Sequence, residues 1–120
     1  MKNLLQNPNE ISITGAIWIE RQDGTDRFLG KGRIQLLELI VEYGSISKAA
    51  KAMEMSYKRA WDLVNSMNSQ TLQPLVITQT GGKSGGGALV TAEGLQAIDD
   101  YKALQNRFQA FLLQENQCLK

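Results

Sequence analysis

Along ISITGAIWIE, residues 11–20, the apolar positions recur at every second place: Ile11, Ile13, Ile17 and Ile19 share one face, with Gly15 between them. That period predicts a strand. Asp23-Gly24 signals a turn and Arg27-Phe28-Leu29 a short return strand, so an N-terminal β-hairpin is expected. From Gly30 the period changes. Ile34, Leu37, Ile40 and Val41 fall at helical spacing, Leu36 and Tyr43 widen the stripe, and Gly44 is a natural stop. Ser45 reads as the N-cap of a short helix over 46–53, and Ser56 as the N-cap of a helix over 57–70. In that second helix Ala60, Val64 and Met67 face inward, with Trp61 and Leu63 beside them. Lys58, Arg59, Asp62, Asn65, Ser66 and Ser69 face out. Residues 75–80 and 88–91 read as strands on either side of a glycine-rich loop. Thr91 then caps a long helix over 92–115, with Gly94 a weak spot in its first turn. Its stripe is Leu95, Ile98, Tyr101, Leu104, Phe108, Phe111 and Leu112.

The order is therefore hairpin, three helices, strand, glycine-rich loop, strand, long helix. The fold class is mainly α with small β (α+β), in the layout of a winged helix-turn-helix. The helix-turn-helix spans 45–70, the wing 75–91 and the long C-terminal helix 92–115. Residues 1–10, polar and containing Pro8, are expected to be a flexible N-terminus, and 11–120 a single domain. A chain of 120 residues, 42% of them hydrophobic, supports one small core and leaves little for a second.

Charge changes the picture only locally. The net charge of +1 provides no global basic field. Between Ser45 and Arg59, however, Lys48, Lys51, Lys58 and Arg59 face only Glu54, a local excess of three. In this motif the start of the second helix meets base edges in the major groove, where Arg takes guanine through a bidentate pair.

The glycine loop is a different kind of phosphate site from the one it first suggests. Gly82-Lys83-Ser84 matches the end of a nucleotide-binding P-loop, but the first glycine of that motif would fall on Ile77, and three more glycines follow Ser84 where a helix should open. As the tip of a wing the loop makes sense. Glycine lets backbone N–H groups approach DNA phosphates, Lys83 adds a cation, and Thr80 and Ser84 add hydroxyls.

Other chemistry is excluded by composition. The chain has no histidine and one cysteine, Cys118. That rules out an internal disulfide, ordinary zinc sites, and Ser-His-Asp or Cys-His catalysis. No convergent acid, base and nucleophile set is visible, so no enzyme, cofactor or metal is expected. The start, MKNLLQNPNE, lacks the apolar region of a signal peptide, and no apolar run approaches the roughly 20 residues that span a membrane. A soluble cytoplasmic protein, with no membrane partner, is expected.

The stretch GSISKAAKAMEMSYKRAWDLVNSMN (44–68), together with TGGKSGGGALVTAEG (80–94), resembles the N-terminal DNA-binding domain of the ModE-type molybdate-responsive regulators, itself similar to the LysR-type winged helix. The most specific parts are Ser56-Tyr57-Lys58, Ala60-Trp61-Asp62, Met67-Asn68, and the loop Gly81-Gly82-Lys83 with Gly85-Gly86-Gly87-Ala88. The resemblance implies that Ser56, Tyr57, Lys58 and Arg59 start the recognition helix, that Lys83 sits in the wing, and that the long helix dimerises. Ser84 stands where the family usually has glycine, and Arg59 where a small residue is frequent. Full members continue into molybdate-binding modules of roughly half this chain's length each. Molybdate sensing by that route is not expected here, and a separate effector-binding protein is left open as a partner.

The resulting expectation is a homodimeric transcriptional regulator that binds a specific double-stranded DNA inverted repeat. DNA contacts are expected from Ser45, Ser47, Lys48, Ser56, Tyr57, Lys58, Arg59, Asp62, Thr80, Gly82, Lys83 and Ser84. Dimer contacts are expected from Ile98, Tyr101, Leu104, Phe108, Phe111 and Leu112. The alternatives are a winged-helix protein-interaction module, or a small oxyanion sensor, that has lost DNA binding.

Overall fold

The computed structural model describes residue 1, residues 3–79 and residues 87–120. Three helices form the centre: α1 (Lys31–Tyr43), α2 (Ile46–Ala52) and α3 (Tyr57–Asn68). The stop of α1 and the starts of α2 and α3 fall on the residues that the sequence nominates, while α2 ends one residue and α3 two residues short of their expected ends. The α1 helix ends on Gly44, whose left-handed φ of 62° closes the last turn with an N–H bond to the Ile40 carbonyl. Ser45 Oγ accepts from the Lys48 N–H at 3.1 Å, and Ser56 Oγ from the Arg59 N–H at 3.1 Å. Ile34, Leu36, Leu37 and Ile40 from α1, Ala49 and Ala50 from α2, and Ala60, Val64 and Met67 from α3 are all buried. The alanines allow the helix axes to approach closely. Val41, expected within the α1 stripe, and Tyr43, expected to widen it, are instead exposed: Ile34, Leu36, Leu37 and Ile40 fill the core, and the side of the helix that carries Val41 and Tyr43 faces away from it.

Two short hairpins flank the helices. The C-terminal one pairs β3 (Val76–Gln79) with β4 (Gly87–Val90) in regular antiparallel register from Val76↔Val90 to Gln79↔Gly87. Val76 and Val90 face the core, while Ile77 and Leu89 face solvent. The Ala88 N–H donates to the Gly44 carbonyl at 3.0 Å, which fixes this hairpin to the end of α1.

The N-terminal hairpin corrects an expectation. The strand read over 11–20 shrinks to β1 (Ile19–Glu20), paired with β2 (Arg27–Leu29) through an irregular register. Part of the backbone before it bonds to side chains of the last helix instead of to a partner strand. The Ile13 N–H donates to Asn116 Oδ1 at 2.6 Å, the Ile13 carbonyl accepts from Asn116 Nδ2 at 3.0 Å, and the Ile17 carbonyl accepts from the Tyr101 hydroxyl at 2.9 Å. The alternation is real, but it serves an extended strap lying along a helix.

That helix, α4 (Ala92–Leu119), runs four residues past its expected end. Thr91 caps it, accepting from the Gly94 N–H at 3.1 Å and donating its own hydroxyl to the Pro74 carbonyl at 2.7 Å. Its first turns enter the core through Gly94, Ile98 and Tyr101. An ion pair of 2.7 Å from Lys102 to Glu38 adds a second tie to α1. The remainder extends away, giving the molecule its 66 × 28 × 24 Å dimensions. No helix among the described residues is long and apolar enough to cross a membrane.

Candidate nucleic-acid interface

The two helices of the helix-turn-helix meet through a tight turn at Met53–Met55. Glu54 sits there with a left-handed φ of 57°, and the Met55 N–H returns to the Ala50 carbonyl at 3.0 Å. The turn lets α3 start afresh at Ser56 and present its first residues outward. Tyr57, Lys58, Arg59 and Asp62 are all exposed. Lys58 and Asp62 form an ion pair of 2.8 Å across one helical turn. The hydrogen bond and the charge of Asp62 push the Lys58 ammonium above its ordinary pKa, so it is a cation throughout the neutral range. Tyr57 packs edge-to-face on Trp61, with ring centres 6.2 Å apart, while Trp61 is half-buried against the core. On α2, Ser47 and Lys48 are exposed and Ser45 is half-buried with its hydroxyl used as a cap. Arg59 points along a different stripe from Lys58, beside Trp18, Arg27 and Leu63. Thr80, Gly82, Lys83 and Ser84 lie outside the described residues.

Two side-chain networks hold α3 at its angle, and periodicity signalled neither. Ser66, read as an outward position, donates to Asp26 Oδ2 at 2.6 Å and accepts from Arg33 Nη1 at 2.8 Å. Arg33 also donates to the Arg27 carbonyl at 2.6 Å and faces the Asp26 carboxylate at 3.4 Å. The Ser66 hydroxyl, then the Arg27 N–H and the Arg33 charge, hold the Asp26 carboxyl below its ordinary pKa. This network pins the N-terminal hairpin to α3 and α1. On the other side, Asn68 Oδ1 accepts from the Leu75 and Val76 N–H groups at 2.8 and 3.2 Å, and its Nδ2 donates to the Val76 carbonyl at 2.9 Å. Asn68 thus acts as a strand partner for β3, fixing the second hairpin to the end of α3.

No family model matches the chain. Individual relatives do. It is 43% identical over 84 residues to the molybdenum transport protein ModE of Azotobacter vinelandii, a segment covering 70% of this chain and 31% of that protein. It is 47% identical over 77 residues to the DNA-binding transcriptional dual regulator ModE of Escherichia coli K12, covering 64% and 29% respectively. The chain is homologous to the ModE-type regulators. With the molybdenum-pterin-binding protein MopA of Rhodobacter capsulatus, 40% identity extends over 97 residues, or 81% of this chain and 36% of that one. The chain spans about a third of the length of the relatives it matches.

The residues that carry the ModE-type resemblance separate by role. Ala60 and Met67 are core, Ser56 is a cap, Asn68 is the strand clamp, and Trp61 is a half-buried wedge. Tyr57, Lys58 and Asp62 remain, at the open face of α3, with no such structural demand upon them beyond the Lys58–Asp62 pair and the Tyr57 ring contact.

Along α4, the dimer candidates are also divided. Ile98 and Tyr101 belong to the chain's own core, and burial raises the Tyr101 pKa. Leu112 is buried as well. Phe108 is half-buried, its ring tip 3.1 Å from where a Cβ on Gly15 would lie. Leu104 is half-buried, and Phe111 is 56% exposed. The strap thus covers part of the stripe that was expected to need a second copy.

Proposed function

We propose that this chain is a sequence-specific double-stranded DNA-binding regulator of transcription, working in the cytoplasm as a homodimer. The observation that carries the reading is the exposed start of α3: Tyr57, Lys58 and Asp62 stand clear of the core on a helix locked by the Ser66 and Asn68 networks. Relatives named as DNA-binding transcriptional regulators support it. In this reading α3 enters the major groove, with Tyr57, Lys58 and Asp62 at base edges. Arg59, Lys48 and the hydroxyls of Ser45, Ser47 and Ser56 contact the flanking backbone. Thr80, Gly82, Lys83 and Ser84 in the wing bond phosphates. Phe111, with Leu104 and Phe108, supplies the dimer contact. Two copies then place their recognition helices about one DNA turn apart, the spacing of an inverted repeat. The mechanism is binding, not catalysis, and phosphate contacts make it steeply dependent on salt.

The test is selection of genomic DNA fragments by the purified protein at about 150 mM salt with excess competitor. Enrichment of an inverted repeat is expected. Lys83→Ala is expected to weaken all sequences alike and to lower the salt slope by about one. No enriched sequence, with no DNA binding at low salt, would sink the reading.

A further inference from the structure

Two arginines, Arg27 and Arg59, line one cleft of about 230 Å³ between the N-terminal hairpin and the turn that joins α2 to α3. Its walls include Trp18, Arg27, Gly30, Arg33, Met55 and Arg59. Arg33 is already committed to Asp26, Ser66 and the Arg27 carbonyl. Arg27 and Arg59 make no ion pair among the described residues. Placing two cationic side chains around one small concavity costs free energy unless an anion joins them.

The geometry around Arg27 is prepared for such a guest. Its guanidinium carbon lies 4.4 Å from the centre of the Trp18 ring. Stacking of this kind holds the planar fork in place while leaving its N–H edges available. The indole is seated in turn by Gly30. A Cβ there would come within 2.7 Å of Trp18 Cδ1, so any larger residue would displace the ring. A forked, planar donor matches the oxygens of a phosphate group better than it matches any uncharged ligand.

We propose that this cleft holds a tetrahedral oxyanion of the phosphate class, bound by the N–H edges of Arg27 and Arg59. On DNA the guest is a backbone phosphodiester beside the groove that α3 enters, and the N-terminal hairpin becomes a second backbone clamp in addition to the glycine-rich wing. The source of the phosphate rests on the DNA-binding reading above; the anion site itself rests on the cleft.

The experiment compares wild type, Arg27→Ala and Arg27→Lys on the selected operator, with affinities measured between about 50 and 200 mM salt. Arg27→Ala is expected to lower the slope of log affinity against log salt by about 0.9, one phosphate's worth, with base preference unchanged. Arg27→Lys is expected to restore most of that slope, and thermal melts show that both variants fold. A second arm titrates the DNA-free protein with inorganic phosphate and with sulfate, following arginine Nε–H signals by NMR. Anion-dependent shifts of the Arg27 and Arg59 signals, lost in Arg27→Ala, support the site, and with an unchanged salt slope they assign its guest to a free oxyanion. An unchanged slope together with no anion-dependent shift overturns the proposal. A wild-type protein that binds no DNA removes the regulator reading alone, because the anion titration still decides the cleft.

Discussion

Gly94 shows how one residue can carry two different meanings. In the sequence it is a weak point in the first turn of a helix, since glycine loses the most backbone entropy on ordering. In the structure it is where α4 enters the core. A Cβ there would collide with the Leu75 carbonyl oxygen and lie 2.5 Å from Val90 Cγ1. One obstacle is backbone just before β3 and the other a buried β-branched side chain of β4, so neither can swing aside. Gly94→Ala, which helix propensity alone would favour, is therefore expected to destabilise by roughly 1–3 kcal/mol in urea melts. Asp26 makes a prediction of another kind. Its carboxyl is held below the ordinary value of 3.8 by the Ser66 hydroxyl first, then the Arg27 N–H and Arg33. A carboxylate with a lowered folded pKa adds stability above the unfolded pKa and loses it as pH falls through the folded one. Asp26→Asn is expected to melt below wild type at neutral pH, with the gap closing as pH drops below 3.8. A gap of constant size across that range would show that ionisation of Asp26 contributes nothing.

At the scale of elements, caps and turns were the most legible features. Ser45, Ser56 and Thr91 each accept the backbone bond that their position foretold, and Gly44 takes the left-handed conformation of a helix stop. These interactions span three or four residues, so neighbouring letters are enough to specify them. What binds one element to another was not legible. Asn68 looks like an ordinary polar residue at the end of a helix, yet it bonds to the backbone of Leu75 and Val76 in three places. Asn68→Ala leaves those groups without their partner and is expected to cost roughly 1–3 kcal/mol, read from denaturant unfolding. Ser56→Ala removes one cap bond and is expected to cost about 1 kcal/mol. If the two losses were reversed, the clamp would be a minor contact and the cap the main anchor of α3.

For the whole molecule, the decisive feature is the far half of α4. The strap at residues 11–18 covers part of its apolar stripe, through Asn116 and Phe108, while leaving Phe111 exposed. A proposed dimer contact therefore narrows to Phe111 and its half-buried neighbours Leu104 and Phe108. Phe111→Glu is expected to leave the fold intact and to give a single-chain mass of 13.3 kDa by sedimentation equilibrium, where wild type gives twice that mass. It is also expected to reduce binding to an inverted repeat to the level of a half-site. A Phe111→Glu protein that still sediments as a dimer would move the contact to another surface.

By itself the sequence determined the local vocabulary: the caps at Ser45, Ser56 and Thr91, the stop at Gly44, the residues of α3 that enter the core, and the two strands that frame the glycine-rich loop. Those signals are short-range, and periodicity and capping chemistry express them directly. Only the tertiary structure decided that the alternating segment before β1 is a strap on α4, because alternation specifies an extended chain without naming what accepts its hydrogen bonds. It also decided that Ile98 and Tyr101 serve this chain's own core, and that Arg27 and Arg59, 32 positions apart, line one cleft. Such meetings depend on how elements dock, and docking is set by contacts between residues that the sequence keeps far apart.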